Sequence, residues 1–120
     1  MSNILIADDE KDVVELIKFM LERDGNTVTE AFDGAQALKE VGKAKPDLII
    51  LDVMMPELDG YSVATKLFED QETKDIPLII LTAKGKMKDL FQSLPNVRAY
   101  IEKPFEPALL RTKVRELLNK

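Results

Sequence analysis

Three carboxylates in this chain directly follow short apolar runs, at the points where buried strands would reach the surface. Asp8 and Asp9 follow the run at residues 4–7, and Asp52 follows the run at residues 48–51. A carboxylate at the end of a core strand is positioned by the scaffold yet stays open to reagents. The three acids are therefore candidates for metal binding or for nucleophilic chemistry.

A hydroxyl and a cation occupy matching positions elsewhere in the chain. Thr82 follows the apolar run at residues 78–81, and Lys103 follows the strand-like segment that contains Tyr100. Each candidate also has an ordinary explanation: acids favour helix N-termini by about 0.3–1 kcal/mol, a threonine can be a plain strand residue, and a lysine can be solvated. Those explanations would scatter the residues, whereas a parallel sheet would bring all of these strand ends to the same edge.

Electrostatic repulsion limits how three carboxylates can share that edge. At an effective dielectric constant of about 20, two like charges ~4 Å apart repel by about 4 kcal/mol. The cluster therefore needs a bound cation or a protonated carboxyl group. The chain has no cysteine and no histidine, so its metal ligands must be oxygen atoms, which favours Mg²⁺, Mn²⁺ or Ca²⁺.

The composition is that of a single globular domain. The chain has 120 residues, of which 45% are hydrophobic and 32% are charged, and its net charge is -5. That charge argues against non-specific binding to nucleic acid. The amino terminus lacks the regions of a signal peptide, and no apolar run approaches the ~18 residues of a membrane span. We expect a cytoplasmic protein that neither inserts into a membrane nor binds nucleic acid directly.

Short apolar runs alternate with amphipathic stretches along the chain. The pattern predicts five strands, at residues 3–7, 27–31, 48–52, 78–82 and 98–102. It predicts five helices, at residues 12–24, 34–43, 61–70, 86–93 and 107–118. In the first helix, Val13, Ile17, Met20 and Leu21 recur at helical spacing. Because strands and helices alternate, we expect an α/β fold, a doubly wound parallel sheet covered by helices on both faces.

Four motifs, taken together, resemble those of a response-regulator receiver domain, the CheY-like module of two-component signalling. They lie at residues 4–10, 47–60, 80–84 and 100–105, and they read ILIADDE, DLIILDVMMPELDG, ILTAK and YIEKPF. The resemblance covers essentially the whole chain. It implies a flavodoxin-like (βα)5 fold with strand order 2-1-3-4-5, in which a crevice between the first and third strands holds the three acids.

The resemblance also implies a role for each candidate residue. Asp52 would accept a phosphoryl group from a phosphohistidine of a sensor histidine kinase, a reaction that needs positioning and charge neutralisation. Asp9, Asp52 and the Met54 backbone carbonyl would bind Mg²⁺ (or Mn²⁺) directly, and Asp8 would act mostly through a water molecule. Lys103 would pair with Asp52 and then with the phosphoryl group.

Signalling would follow from the movement of two further side chains. Thr82 would hydrogen-bond the phosphoryl group, and its inward shift would leave space that Tyr100 enters. Tyr100 would then bias the surface formed by the predicted helix at 86–93, the last strand and the final helix towards a state that binds a downstream target or a phosphotransfer protein. The alternative for Tyr100 is a partly buried aromatic residue without a switching role.

Two segments depart from the family pattern, and one proline matches it. Residues 94–99 replace a glycine-containing turn, which affects the length of the preceding helix and the partner surface. Residues 84–88 are unusually cationic: they form a solvated loop or, in a sharper hypothesis, place Lys84 where it screens the phosphoryl group or directs water. The Lys103-Pro104 bond resembles the cis peptide of the family.

Three other functions compete with this interpretation. An aspartate-nucleophile phosphatase of the haloacid-dehalogenase type also uses Mg²⁺ and a lysine, but it needs a second acid two residues after the nucleophile, where this chain has Met54. A flavin-binding module needs a phosphate loop of backbone donors and hydroxyls, whereas residues 7–12 are strongly acidic. A receiver that only binds a partner, without being phosphorylated, would not need the full set of chemical residues.

We therefore expect one receiver domain over residues 1–120, standing alone without an output domain. It would phosphorylate and dephosphorylate only itself and would not turn over an external substrate. Its signal would pass through protein contact or through onward phosphotransfer.

Overall fold

The computed structural model describes residues 2–55, 59–82 and 93–119, which form a five-stranded parallel sheet with helices on both faces. The strands are β1 (Asn3–Ala7), β2 (Thr27–Ala31), β3 (Leu48–Asp52), β4 (Leu78–Thr82) and β5 (Val97–Glu102). The helices in the described ranges are α1 (Lys11–Arg23), α2 (Gly34–Lys43), α3 (Gly60–Glu69) and α4 (Pro107–Asn119). The strand order is β2-β1-β3-β4-β5, which confirms the doubly wound fold.

Side-chain alternation along the strands divides the core into two layers, one on each face of the sheet. Residues of α1 and α4 pack on one face, which includes Ile50 and Ile79. Residues of α2 and α3 pack on the other face, which includes Leu51 and Ile80. The central strands β3 and β4 are buried along their whole length, as their uninterrupted apolar sequences predict.

Helix ends follow the local sequence. Asp33 caps α2 by accepting a hydrogen bond from Gln36 N–H, and Asp59 caps α3 by accepting one from Ser62 N–H. Gly25 follows the end of α1 with a φ of 95°, a left-handed conformation that glycine adopts without steric cost. Local sequence therefore sets where these three helix ends lie.

The buried stripe of α1 includes a valine that the helical spacing noted in the sequence did not select. Val14 is the fully buried valine of this helix, and Val13 is only partly buried. Val14 lies three residues before Ile17 and seven before Leu21, so these three side chains form one continuous stripe along the helix.

Other boundaries differ slightly from the prediction. The strand β5 and the helix α3 each begin one residue earlier than predicted. The predicted helix at 86–93 falls almost entirely on residues outside the described ranges. None of the described helices is both long enough and apolar enough to span a lipid bilayer.

The segment that leads into β5 is fastened to its surroundings by Asn96, which is 4% exposed. The side-chain amide of Asn96 donates to Ala64 O of α3 at 3.3 Å. The backbone carbonyl of Asn96 accepts from Leu78 N–H at 2.8 Å. Asn96 of the Pro95-Asn96 turn is therefore built into the core, whereas Pro95 is exposed.

An arginine joins the two helices that cover one face. Arg111 of α4 donates two hydrogen bonds to the Asp24 carboxylate at the end of α1, at 3.0 and 2.8 Å. The hydrogen-bonded Arg111 guanidinium holds the pKa of Asp24 below its ordinary value. The paired, parallel contacts fix the orientation of the two groups as well as their separation.

The chain after β3 returns so closely to its own strand that only glycine fits at the start of α3. Gly60 N–H donates to Val53 O at 2.8 Å. A Cβ atom on Gly60 would overlap the backbone carbonyl oxygen of Asp52 and would lie 2.8 Å from Val53 Cα. Because both obstacles are backbone atoms, the end of the strand that carries Asp52 would have to move.

Replacing Gly60 with alanine should lower the free energy of unfolding by about 1–3 kcal/mol, the usual cost of overpacking. Gly42→Ala in α2 is the matched control, since a Cβ there meets no neighbouring atom within 4 Å. That control should raise the free energy of unfolding by up to about 1 kcal/mol through helix propensity. Urea denaturation followed by circular dichroism measures both, and equal effects would contradict the close backbone approach at Gly60.

Candidate functional site

Three charged side chains converge where β1, β3 and β5 end. Asp8, Asp52 and Lys103 each lie two residues after an isoleucine of the core layer beneath α1 and α4. Because side chains alternate along a strand, all three are directed to that same face of the sheet. The strand pattern thus brings together groups that are far apart in the chain.

The acids predicted from the strand ends do come together. Asp8, Asp9 and Asp52 can each place a carboxylate oxygen within 4.8 Å of the other two. Asp8 is fully buried and Asp52 is 5% exposed, whereas Asp9 is exposed. Carboxylate oxygens grouped in this way fit a hard divalent ion such as Mg²⁺, which prefers oxygen ligands and retains several waters.

One ammonium group balances part of this negative charge. Lys103 Nζ lies 2.8 Å from Asp8 Oδ2, 2.9 Å from Glu10 Oε1 and 3.7 Å from Asp52 Oδ1. Burial by itself lowers the pKa of Lys103, but the contacts with Asp8 and Glu10 outweigh burial and raise that pKa above its ordinary value. Lys103 is therefore a stable cation at neutral pH, and it stands closer to Asp8 and Glu10 than to Asp52.

Asp52 ionises less readily than an ordinary aspartate. Burial, followed by the charge of Asp8, raises the pKa of the Asp52 carboxyl group to about 6. Lys103 and a hydrogen bond from the Met54 backbone act in the opposite direction without cancelling this rise. A cation bound beside Asp52 would favour its ionised form.

Thr82 and Tyr100 lie on the other face of the sheet. Thr82 ends β4 and is 2% exposed. In the parallel register, Thr82 is opposite Glu102 and Ile80 is opposite Tyr100, so alternation places the Thr82 and Tyr100 side chains on the same face. Tyr100 is partly buried against the core layer beneath α2 and α3.

The remaining predicted features have different outcomes. The Lys103-Pro104 peptide bond is cis, as the resemblance implies. The Met54 side chain is 63% exposed. Lys84 lies outside the described residues, so its role as a screen for the phosphoryl group stays a prediction.

Glu10 also belongs to the site, although it was not predicted from the sequence. Glu10 immediately precedes α1, and its side chain makes no hydrogen bond that caps this helix. Its carboxylate instead binds Lys103, 93 residues away in the chain. The available signal was its position next to Asp8 and Asp9, because strand alternation does not extend to a residue three positions after the end of β1.

Two curated relatives are transcriptional regulators. The chain is 41% identical over 118 residues to the alkaline phosphatase synthesis transcriptional regulatory protein PhoP of Bacillus subtilis, covering 98% of this chain and 48% of PhoP. It is 37% identical over 121 residues to the DNA-binding dual master transcriptional regulator RpaA of Synechocystis, covering 100% of this chain and 50% of RpaA. The chain therefore spans about half the length of these relatives.

Two solved structures have the same fold over nearly their whole length. The receiver domain of the Francisella response regulator 1452 is 34% identical, with a TM-score of 0.86 and coverage of 99% of this chain and 98% of that chain. The chemotaxis protein CheY4 of Vibrio cholerae is 28% identical, with a TM-score of 0.91 and coverage of 98% of this chain and 99% of that chain.

The family model described as the response regulator receiver domain matches residues 4–115. This range contains β2, β3, β4, β5 and all of β1 except Asn3, together with the acidic cluster and Lys103. Phosphorylation and Mg²⁺ binding are general features of these receivers, which serve two-component systems. The chain therefore belongs to the response regulator receiver domain family.

Proposed function

We propose that this receiver accepts a phosphoryl group on Asp52 from a phosphohistidine of a sensor histidine kinase, and that the modification changes the surface it presents to a downstream protein. The observation that carries the proposal is the convergence of Asp8, Asp9 and Asp52 within 4.8 Å of one another, beside Lys103. Such an arrangement combines an anionic oxygen nucleophile with groups that can neutralise the charge of a phosphoryl group.

The transfer exchanges one bond to phosphorus for another. A carboxylate oxygen of Asp52 attacks phosphorus, an O–P bond forms, the N–P bond of the phosphohistidine breaks, and the departing imidazole nitrogen takes up a proton. The transition state spreads charge over the phosphoryl oxygens, so the reaction depends on positioning and neutralisation more than on a strong base. The buried strand β3 supports the positioning, because Asp52 is its last residue.

The acidic cluster is the proposed metal site. Asp9, Asp52 and the Met54 backbone carbonyl would hold Mg²⁺, and Asp8 would contribute mostly through water. When bound, Mg²⁺ or the similar Mn²⁺ supplies positive charge that offsets the crowded carboxylates and the phosphoryl oxygens. The raised pKa of Asp52, caused first by its burial, supports the proposal because the site by itself opposes a full set of negative charges.

Three further residues would respond to the phosphoryl group. Lys103 would turn from the carboxylates to a phosphoryl oxygen, and the Thr82 hydroxyl would donate to another. Tyr100 would then move inward in concert with Thr82, and the placement of both side chains on one face of the sheet supports this coupling. The proposed result is a changed partner surface around residues 86–93, β5 and α4.

The proposed activity is confined to the chain itself. Asp52 takes up one phosphoryl group and loses it by hydrolysis or onward phosphotransfer, without turnover of an external substrate. In this proposal the receiver stands alone in the cytoplasm. It passes its signal on through direct contact with a target protein or with a phosphotransfer protein.

A second candidate output is control of an attached domain. PhoP and RpaA are named as transcriptional regulators and are about twice as long as this chain, which favours a receiver that forms part of a longer regulator. An immunoblot of source cells with an antibody against this domain distinguishes the two outputs. A product the size of this chain supports the stand-alone receiver, and a product about twice that size supports the regulator.

Asp52→Asn should abolish incorporation of phosphate from a small phosphodonor with Mg²⁺ while the fold is retained, because an amide cannot form the acyl phosphate. Asp75→Asn removes the same charge from an exposed position shortly before β4, at the opposite edge of the sheet. This control should label like the parent. Intact-protein mass spectrometry detects the added group, and labelling of Asp52→Asn at the parent's level would falsify the assignment.

Asp9→Asn should weaken Mg²⁺ binding more than Asp8→Asn does. Asp8 is fully buried and lies 2.8 Å from Lys103, whereas Asp9 is exposed and can turn towards an ion at little cost. We expect a loss of about tenfold in affinity for Asp9→Asn, equivalent to about 1.4 kcal/mol, and a smaller loss for Asp8→Asn. Isothermal titration calorimetry with MgCl₂ measures both constants, and equal affinities would contradict this ranking.

Without divalent cations, Asp52→Asn should stabilise the protein at pH 8. The pKa of Asp52 is raised to about 6 in the fold, first by burial, so the folded chain binds this proton more tightly than the unfolded chain does. The resulting stability is fully present below the unfolded pKa of about 4 and is lost as the pH rises through about 6. Asparagine avoids that loss, which is on the order of 1–3 kcal/mol at pH 8.

Urea denaturation in EDTA at pH 8 and at about pH 4 measures this difference, which should shrink at the lower pH. A variant less stable than the parent at pH 8 would show that ionised Asp52 is favourable in the metal-free fold, contrary to the expectation.

A further inference from the structure

We propose that Glu10 is a positioning residue of this site. Together with Asp8, it binds the Lys103 ammonium and keeps that cation nearer to these two acids than to Asp52. When Asp52 carries a phosphoryl group, Lys103 moves from Glu10 to a phosphoryl oxygen. The inference rests on the proposed phosphoryl transfer to Asp52. It adds a residue that sets the balance between Mg²⁺ binding and retention of the phosphoryl group.

The distances around Lys103 separate two near carboxylates from one that is farther away. Nζ lies 2.8 Å from Asp8 and 2.9 Å from Glu10, but 3.7 Å from Asp52. An ammonium group has three N–H donors; the contact of Lys103 with Glu10 is a charge-assisted hydrogen bond, and the contact with Asp8 is an ion pair of similar length. The position of the cation is therefore governed by Asp8 and Glu10 more than by Asp52.

Glu10 differs from the other carboxylates because it can release the lysine easily. The Asp8 side chain is fully buried, whereas the Glu10 side chain is 60% exposed. Solvent can therefore replace Lys103 at Glu10 at little cost, while a buried Asp8 without a partner would be costly. Glu10 is thus the contact that Lys103 would give up in order to reach a phosphoryl oxygen on Asp52.

The same contact acts in opposite directions on the two ligands. By competing for the ammonium, Glu10 leaves Asp52 with more of its negative charge available to Mg²⁺. By the same competition, Glu10 weakens the contact between Lys103 and the phosphoryl group, because Lys103 must leave Glu10 before it can bind a phosphoryl oxygen. The presence of Glu10 should therefore strengthen Mg²⁺ binding and weaken the hold of Lys103 on the phosphoryl group.

Glu10→Gln tests this inference by removing the charge while keeping the size of the side chain. The side chain makes no capping hydrogen bond to α1, so the start of that helix is preserved. Isothermal titration calorimetry would give the Mg²⁺ affinity. An NMR titration at saturating Mg²⁺ would then give the affinity for beryllium trifluoride, a probe that resembles a phosphoryl group. Glu10→Gln should weaken Mg²⁺ binding and tighten beryllium trifluoride binding, each by about two- to fivefold.

Two control variants separate the contact from general charge. Asp12→Asn removes an exposed charge from the first turn of α1, and no ion pair of Asp12 occurs among the described residues. It should leave both constants within about 1.5-fold of the parent, because solvent and salt screen its charge. Glu10→Asp keeps the charge but shortens its reach, and should tighten beryllium trifluoride binding as Glu10→Gln does.

The chemical shift of the Lys103 side-chain nitrogen can be measured in the protein without Mg²⁺ or beryllium trifluoride, so it reports the Glu10 contact independently of ligand binding. In the metal-free protein it should change in Glu10→Gln and stay at the parent's value in Asp12→Asn, because only the first substitution removes a partner of Lys103.

Each result supports or overturns the inference. Opposite changes in the two affinities support it, because a merely structural role would weaken both. If the parent binds beryllium trifluoride and Glu10→Gln matches it in both constants, or weakens both, the positioning role is wrong and phosphoryl transfer to Asp52 stands. If the parent binds no beryllium trifluoride with Mg²⁺ and takes up no phosphate, the proposed function fails, and the role of Glu10 fails with it.

Discussion

Among the residues that the structure describes, one lysine ammonium faces several carboxylates at the carboxyl edge of this sheet, and that imbalance governs the site. Lys103 lies within 4 Å of Asp8, Glu10 and Asp52, and Asp9 joins two of these acids in the cluster. A single positive charge cannot neutralise four negative ones, and burial prevents water from doing so fully. The raised pKa of Asp52 expresses this deficit, first through burial and then through Asp8. A site with such a deficit attracts cations.

Such an arrangement of like charges persists because the scaffold around it is rigid. β3 and β4 are buried along their whole length between two apolar layers, so the strand ends cannot spread apart without exposing core side chains. The close approach of Gly60 to the backbone of Asp52 adds a second restraint. Hydrophobic burial distant from the site thus offsets the repulsion within it.

Much of this arrangement could be predicted from the sequence, because strand ends in a parallel sheet meet at one edge whatever the side chains are. The apolar runs before Asp8 and Asp52 located both acids, and the motifs located Lys103. The preference of Lys103 for Asp8 and Glu10 could not be predicted, because it depends on side-chain directions beyond the strand ends. Val14 was missed for a similar reason: neighbouring positions of a helix fit an apolar stripe almost equally well, and packing decides between them.

Two hydrogen bonds join Arg111 of α4 to the carboxylate of Asp24, the residue that follows α1. A planar guanidinium group that makes two hydrogen bonds to one carboxylate holds its orientation better than a group that makes a single contact. A displacement of α4 would strain this contact at the far end of α1, a helix whose first turn comes directly after Asp9 and Glu10. By thermodynamic reciprocity, a protein bound at α4 that favoured occupancy of the acidic cluster would itself bind more tightly to the occupied state, by the same factor.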